Sequence, residues 1–143
     1  MGARIKGLVT GLTPAEKLYL LTHFWQVSTI KEDADKALAE ARRRFSTGQH
    51  NGPADAFRHC YWSSMLARDI GPENAKSFTD AHEAYSDNPP DEKAMDLHNN
   101  SVGIGIGKAN PTDSDQMLAD RCQQALTDGK LITTPVSSAT YSY

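Results

Sequence analysis

Proline and glycine divide this chain into short segments, and their positions constrain its fold more than any other feature. Pro14, Pro53 and Pro72 each stand where a helix can begin, and the pair Pro89-Pro90 separates two further stretches. Proline is favoured in the first turn of a helix, because the N–H group it lacks would have no partner there. Apolar residues recur at helical spacing between these breaks. The sequence therefore predicts an all-α fold of about six helices.

Local signals place most of the helix boundaries. Thr13–Glu16 and Thr29–Glu32 have the capping-box pattern, which predicts the first two helix starts. Gly48 should end the second helix. Pro53 should begin a third helix, which is central in the fold because apolar and aromatic residues cover more than one of its faces. Gly71-Pro72 should end it and begin a fourth.

The C-terminal half continues the pattern. A fifth helix is expected from about Asp91 into the segment Gly103–Gly107, where the small residues favour close helix packing or a bend. A loop and a cap precede a sixth helix, which should end at Gly129. Residues 131–134 can form at most a short extended piece. No repeat or second domain is visible, so residues 1–143 are expected to be one compact domain.

Composition and charge exclude several classes. The chain has 38% hydrophobic residues and no long apolar run, so no membrane span is predicted. Its net charge of −3 argues against nucleic-acid binding. The N-terminus lacks the pattern of a signal peptide. Cys60 and Cys122 permit one disulfide, and two buried free thiols are an equally open alternative.

The chemistry is concentrated in Asp80–Asn100, which contains six acids and two histidines around the proline pair. Glu83 lies near the C-terminal end of its helix, where the helix dipole and apolar surface should raise its pKa and suit it to be a general acid. Glu92 lies near a helix N-terminus and should stay ionised. Two carboxyls in unlike surroundings are what glycoside hydrolysis requires. The alternative is a polar turn whose acids cap and solubilise helix ends.

Several neighbouring residues are candidates for lining or orienting this site. Tyr85 and Trp62 can serve as sugar platforms, although core packing is the alternative for Trp62. Arg58 can pair with Asp55, three residues before it. The remaining candidates are polar side chains that can orient the turn or a substrate, with satisfaction of backbone groups as their structural alternative: His59, His82, His98, Asn99 and Asn100.

A metal site is a rival interpretation of the same region. Three histidines and two aspartates could build a helical metal-hydrolase site, although none of them has a tight ligand spacing: His59, His82, His98, Asp80 and Asp96. Cys60 is discounted as a nucleophile, because adjacent helical residues point about 100° apart and His59 cannot serve it. The main prediction includes neither a metal nor a cofactor.

Three motifs together resemble a known family. The segments Asp55–Trp62, Asp80–Glu83 and Met95–Asn100 look like the C-terminal lysozyme domain of TseP, a type VI secretion effector of the Aeromonas group, and like related bacterial toxin domains. The resemblance covers about Leu12 to Gly107. The family's two essential glutamates, nine positions apart, fall on Glu83 and Glu92.

The resemblance implies a lysozyme-like helical domain at the C-terminal end of a larger effector. It implies an antibacterial muramidase that cleaves peptidoglycan between N-acetylmuramic acid and N-acetylglucosamine. Such an effector is made in the producer's cytoplasm, delivered by a secretion apparatus to the periplasm of a rival cell, and countered by a cognate immunity protein. Two alternatives stay open: a metal-dependent hydrolase of phospholipids or nucleic acids, and a non-catalytic wall-binding or adaptor module.

Overall fold

The computed structural model describes Pro14, Lys17 and residues 26–47, 50–84 and 86–135. Five helices lie within the three longer ranges. They are α1 (Val27–Arg44), α2 (Pro53–Ile70), α3 (Pro72–Ala84), α4 (Pro90–Ala109) and α5 (Asp115–Thr127). No strand occurs among the described residues, which confirms the all-α prediction. None of the described helices is long and apolar enough to cross a membrane.

Helix α2 lies at the centre and contacts each of the other four helices. Its largest apolar side chains, Phe57, Trp62, Met65 and Leu66, are at most 2% exposed. Burial of each such side chain contributes about 1.5–3 kcal/mol to folding. The prediction that this helix is central is confirmed, and its buried polar side chains need partners on the helix itself or on its neighbours.

Helix α4 packs against α2 with almost no space between their backbones. A Cβ atom added at Gly103 would lie 2.2 Å from the Cys60 carbonyl oxygen, and one added at Gly107 would lie 2.2 Å from that of Ser64. The glycine segment therefore serves close packing, and α4 continues through it to Ala109. This contact places Asp96 and Asn100 of α4 against the polar face of α2.

Two local predictions about α1 need correction. The capping box at Thr29 was wrong, because α1 begins at Val27, and the Gln26 side chain makes no capping hydrogen bond. Gln26 is buried and Val27 packs on the core, so tertiary packing extends the helix before the local signal. The predicted end at Gly48 was also wrong, because the helix ends at Arg44, where Phe45 turns extended and its ring packs 5.5 Å from that of Phe57. The Thr13 box and Gly48 lie outside the described residues, although Pro14 and Lys17 are helical.

The later boundaries agree with the sequence. Pro53 and Pro72 begin their helices, α4 begins at Pro90, and Ser114 caps α5 by accepting a hydrogen bond from the Met117 N–H. Residues 131–135 follow α5 without forming a strand. Cys60 and Cys122 are free, buried thiols with their sulfurs 3.1 Å apart, as in the second of the two alternatives.

Candidate functional site

Glu83 lies in the last turn of α3, and its side chain is 1% exposed. Neither carboxyl oxygen makes a hydrogen bond within the described part of the chain. His82 Nε2 lies 3.6 Å from Glu83 Oε1, and the His82 ring packs edge-on against Trp62. A buried carboxyl without a hydrogen bond is costly when ionised, so this side chain is an anomaly that requires an explanation.

Burial raises the pKa of Glu83 to about 8, while the nearby His59 opposes this increase. Asp96 and Asp55 add to the increase, because their negative charges disfavour a third one and a neutral Glu83 can donate a hydrogen bond toward Asp96. Glu83 is therefore mostly protonated at neutral pH. The sequence predicted the direction of this shift from the helix dipole and from apolar surface, and loss of water contact is its main cause.

His59 connects two buried aspartates from different helices. Its Nε2 lies 3.3 Å from Asp55 Oδ1 on α2 and 3.4 Å from Asp96 Oδ1 on α4. Its Nδ1 lies 3.3 Å from Asn100 Oδ1, which also accepts a hydrogen bond from Ser63. Burial lowers the pKa of His59, but the hydrogen bond to Asp55 and the charge of Asp96 outweigh it, and the net shift is upward. The position between two acids thus favours the protonated form of His59.

The two aspartates differ in their surroundings. Burial alone would raise the pKa of Asp55, but His59, Arg58 and the Asn51 N–H lower it below its usual range. Arg58 Nη2 donates to Asp55 Oδ1 at 2.6 Å, which confirms the predicted pair. Burial raises the pKa of Asp96, against the influence of His59. Asp55 is therefore the firmly ionised member, and Asp96 competes with Glu83 for a proton.

Glu92 lies in the first turn of α4, with its side chain 13% exposed. Asn51, in the loop before α2, donates a hydrogen bond from its carboxamide to Glu92 Oε1. His50 Nε2 lies 3.2 Å from the same oxygen. The N–H of Glu92 donates to Asp91 Oδ1 at 3.0 Å. Glu92 is thus an accepting carboxylate near the surface, in contrast to the unbonded Glu83.

Both glutamates adjoin the same set of polar groups. The Asn51 N–H donates to Asp55 Oδ2 at 2.9 Å, so Asn51 joins Glu92 to Asp55, and His59 continues the chain to Asp96. Glu83 interacts with the other end of this series of polar contacts, at His59 and Asp96. We call Asn51, Asp55, His59 and Asp96 the polar bridge. It passes through the interface of α2 and α4, which the glycines of α4 hold together.

Other predicted site residues have structural partners. His98 Nε2 bonds the Lys130 carbonyl, and the Asn99 carboxamide bonds both the N–H and the carbonyl of Ile132. These two residues therefore hold the segment after α5, which agrees with the structural alternative for them. Asn100 instead orients His59. Trp62 is 2% exposed and packs against Phe78, so it is a core residue, as its core-packing alternative predicted, and it is too buried to serve as a sugar platform. Tyr85 lies outside the described residues.

The polar bridge is also the place where a cation would fit by distance. One ligand atom each from Asp55, His59 and Asp96 lies within 4.8 Å of the others. Of the five residues in the predicted metal site, only His59 and Asp96 belong to this cluster. Asp80 instead pairs with Lys76, and His98 contacts the Lys130 carbonyl. Arg58 already neutralises Asp55, which weakens the site for a second cation.

Sequence reasoning missed three of the residues that organise this site. His50 and Asn51 lie between the predicted helix end at Gly48 and the helix start at Pro53, where the sequence predicts no site residue, and Asp55 was predicted only as a partner of Arg58. The available signal was a pair of spacings: Asp55 and His59 are four residues apart on one helix, and Glu92 and Asp96 are four apart on another. Residues at this spacing lie on the same face of a helix. A separate cavity of about 380 Å³ lies between α4 and α5, and none of the predicted site residues lines it.

The chain belongs to the family described as a domain of unknown function, DUF6973, whose model matches residues 17–130. This range contains all five helices, both glutamates and the whole polar bridge. No solved structure matches the chain.

Proposed function

We propose that this protein is a muramidase, with Glu83 as the general acid and Glu92 as the second carboxylate. The observation that carries the proposal is the contrast between these glutamates across one polar bridge. Glu83 is buried and mostly protonated at pH 7, whereas Glu92 is partly exposed and accepts a hydrogen bond from Asn51. This is the division of roles between the two carboxyls of a glycosidase.

In the proposed reaction, Glu83 protonates the glycosidic oxygen between N-acetylmuramic acid and N-acetylglucosamine. Glu92 stabilises the oxocarbenium-like centre or activates the attacking water. Because Glu83 is 1% exposed, its carboxyl must become accessible when the glycan binds. Its place in the last turn of α3 favours this, since the end of a helix opens at a lower cost than its middle. No cofactor takes part.

The resemblance to effector lysozyme domains supports the biological setting of the proposal. The protein would be delivered by type VI secretion to the periplasm of a rival bacterium, where peptidoglycan is its substrate. A cognate immunity protein would protect the producer. A muramidase without such protection would damage the producing cell as well.

Release of soluble fragments from purified sacculi tests the assignment. Glu83→Gln and Glu92→Gln should each lower the rate at least ~100-fold, the usual contribution of a general acid or base. Glu73→Gln is the matched control, because Glu73 is an exposed glutamate at the other end of α3. Its rate should equal that of the wild type. Glu83→Gln with an unchanged rate and fold would remove the assignment.

One observation favours a second candidate, a metal-dependent hydrolase of phosphodiesters or phospholipids: the spacing of Asp55, His59 and Asp96. It predicts stoichiometric bound metal and loss of activity with EDTA. The muramidase predicts sacculus digestion that is indifferent to EDTA. A wild-type protein that binds sacculi but releases no fragments would instead support the wall-binding module.

A further inference from the structure

Asn51 has an unusual backbone. Among the described residues it is the one non-glycine residue with a positive φ, at 55°. This left-handed region is disfavoured for side chains with a Cβ atom, although asparagine tolerates it better than most. Such conformations persist where the surroundings hold them, and they concentrate at functional sites.

Two contacts hold Asn51 in this conformation. Its N–H donates to Asp55 Oδ2 at 2.9 Å, and Asp55 is itself 2% exposed and fixed by Arg58 and His59. Its carboxamide donates to Glu92 Oε1, 41 residues away in the sequence. The backbone is thus anchored to the buried network, while the side chain reaches the carboxylate on α4.

We propose that Asn51 is a positioning residue that orients the Glu92 carboxylate for the reaction. This inference rests on the proposed function. The left-handed turn aims the carboxamide across the loop, and its hydrogen bond fixes Oε1. His50 Nε2 contacts the same oxygen and lies 3.1 Å from Asn51 Nδ2. Among the described residues both contacts use Oε1, which leaves Oε2 toward a water molecule or the sugar.

Asn51 is better suited to this role than His50. The His50 side chain is 73% exposed, so water competes for its contact with Glu92. Asn51 is half-buried and has a rigid anchor in Asp55. A carboxamide also keeps its donor at every pH at which the protein is folded. Asn51 therefore fixes the carboxylate without adding a charge beside it.

Three substitutions separate the backbone of Asn51 from its side chain. Asn51→Gly keeps the left-handed turn and the N–H bond to Asp55, and it removes only the carboxamide. Asn51→Ala removes the carboxamide and also strains the turn. Asn51→Asp keeps the shape but places an acceptor against Glu92. Asn110→Ala is the control, because it removes a carboxamide that bonds the Ile106 carbonyl at the far end of α4.

The kinetic test uses a soluble glycan oligomer from peptidoglycan. Asn51→Gly should keep the thermal midpoint within ~3 °C and KM within ~2-fold, but lower kcat ~10-fold or more, since misorientation affects the transition state. Asn51→Asp should lower kcat further. Asn110→Ala should leave kcat unchanged. A residue that is merely structural would give losses that follow stability, so Asn51→Gly with the kcat of the wild type overturns the proposal.

A spectroscopic measurement makes the result independent of catalysis. The side-chain amide signals of Asn51, identified by their loss in Asn51→Gly, should shift in the proton–nitrogen spectrum of Glu92→Gln. Signals that do not respond would overturn the proposal. If the wild type cleaves no glycan, the muramidase assignment fails, and this spectrum still decides whether Asn51 holds the Glu92 carboxylate.

Discussion

Glu83 and Asp33 are two buried carboxyl groups with similar exposure and similar pKa shifts. Each is 1% exposed, and burial is the main reason that the pKa of each rises to about 8. Their neighbours differ. Asp33 on α1 shares a hydrogen bond with Asp69 at the end of α2, with the cations Lys36 and Arg68 nearby. Glu83 faces the carboxyl of Asp96, and through it the polar bridge, with no cation of lysine or arginine among the described groups that shift its pKa.

The surroundings of Asp33 form a clamp between helices. Arg68 bonds Asp69 Oδ1 and Asp115 Oδ1, both at 2.7 Å, and Lys36 bonds Asp115 at 2.9 Å. These contacts tie α1, α2 and α5 together. A raised pKa therefore marks burial and not function. Glu83 is distinguished by a second carboxylate, Glu92, that is reached through the same polar network.

The largest expected difference between the two carboxyls is in activity. Glu83→Gln should abolish sacculus digestion, whereas Asp33→Asn should keep the rate within ~2-fold of the wild type, because its clamp serves packing and not chemistry. Both variants should remain helical by circular dichroism. A loss in Asp33→Asn as great as that in Glu83→Gln would mean that the comparison misidentifies the site.

His59 and Lys36, the basic side chains of the two regions, should differ in their effect on stability. His59→Ala leaves Asp55 and Asp96 buried without the group between them, so we expect a loss of about 3 kcal/mol in the free energy of unfolding. Lys36→Ala removes a half-exposed cation from the clamp and should cost less than about 1 kcal/mol. Urea titrations measure both, and equal losses would contradict the difference in burial.

The packing of α4 should matter to the polar bridge and not to the clamp, which has no residue on α4. Gly103→Ala forces a methyl group against the Cys60 carbonyl and should cost about 2 kcal/mol, with reduced activity. Gly105→Ala is the matched control, because a Cβ atom there meets no atom within 4 Å. It should stabilise by about 0.5–1 kcal/mol. Equal effects would refute the close approach of α2 and α4.

Both Glu83 and Asp33 should contribute to the pH dependence of stability. Between the ordinary values near 4.5 and 3.8 and the folded value of about 8, native Glu83 and Asp33 hold protons that the unfolded chain has released. The contribution of these two groups to stability is therefore greatest at low pH and is lost as the pH rises toward 8. Glu83→Gln and Asp33→Asn should each reduce this loss, by up to about 3 kcal/mol between pH 5 and 8. Urea midpoints across that range provide the measurement, and unchanged slopes would contradict the burial of these carboxyls.

The sequence predicted those parts of the fold that local chemistry decides. Pro53 and Pro72 begin helices because a fixed φ and a missing N–H suit the first turn, whatever lies nearby. The start of α1 could not be predicted, because burial of Gln26 and packing of Val27 are tertiary effects. The contacts from His59 to Asp96 and from Asn51 to Glu92 join residues 37 and 41 positions apart, and no local pattern encodes them.

The same limit applies to Glu83. Its position at the end of a helix was enough to predict a raised pKa, but its complete burial depends on how α3 packs against α2 and α4. The second carboxylate was chosen for its place near a helix N-terminus. Asn51, which holds this carboxylate, is brought next to it only by the packing of α2 against α4.

Mass spectrometry of the fragments released from purified sacculi tests the central claim most directly. The muramidase account predicts disaccharide–peptide fragments cut on the glycan strand after N-acetylmuramic acid, formed by the wild type and by Asp33→Asn but not by Glu83→Gln. Fragments cut within the peptide stems, or the same glycan products from Glu83→Gln, would contradict it.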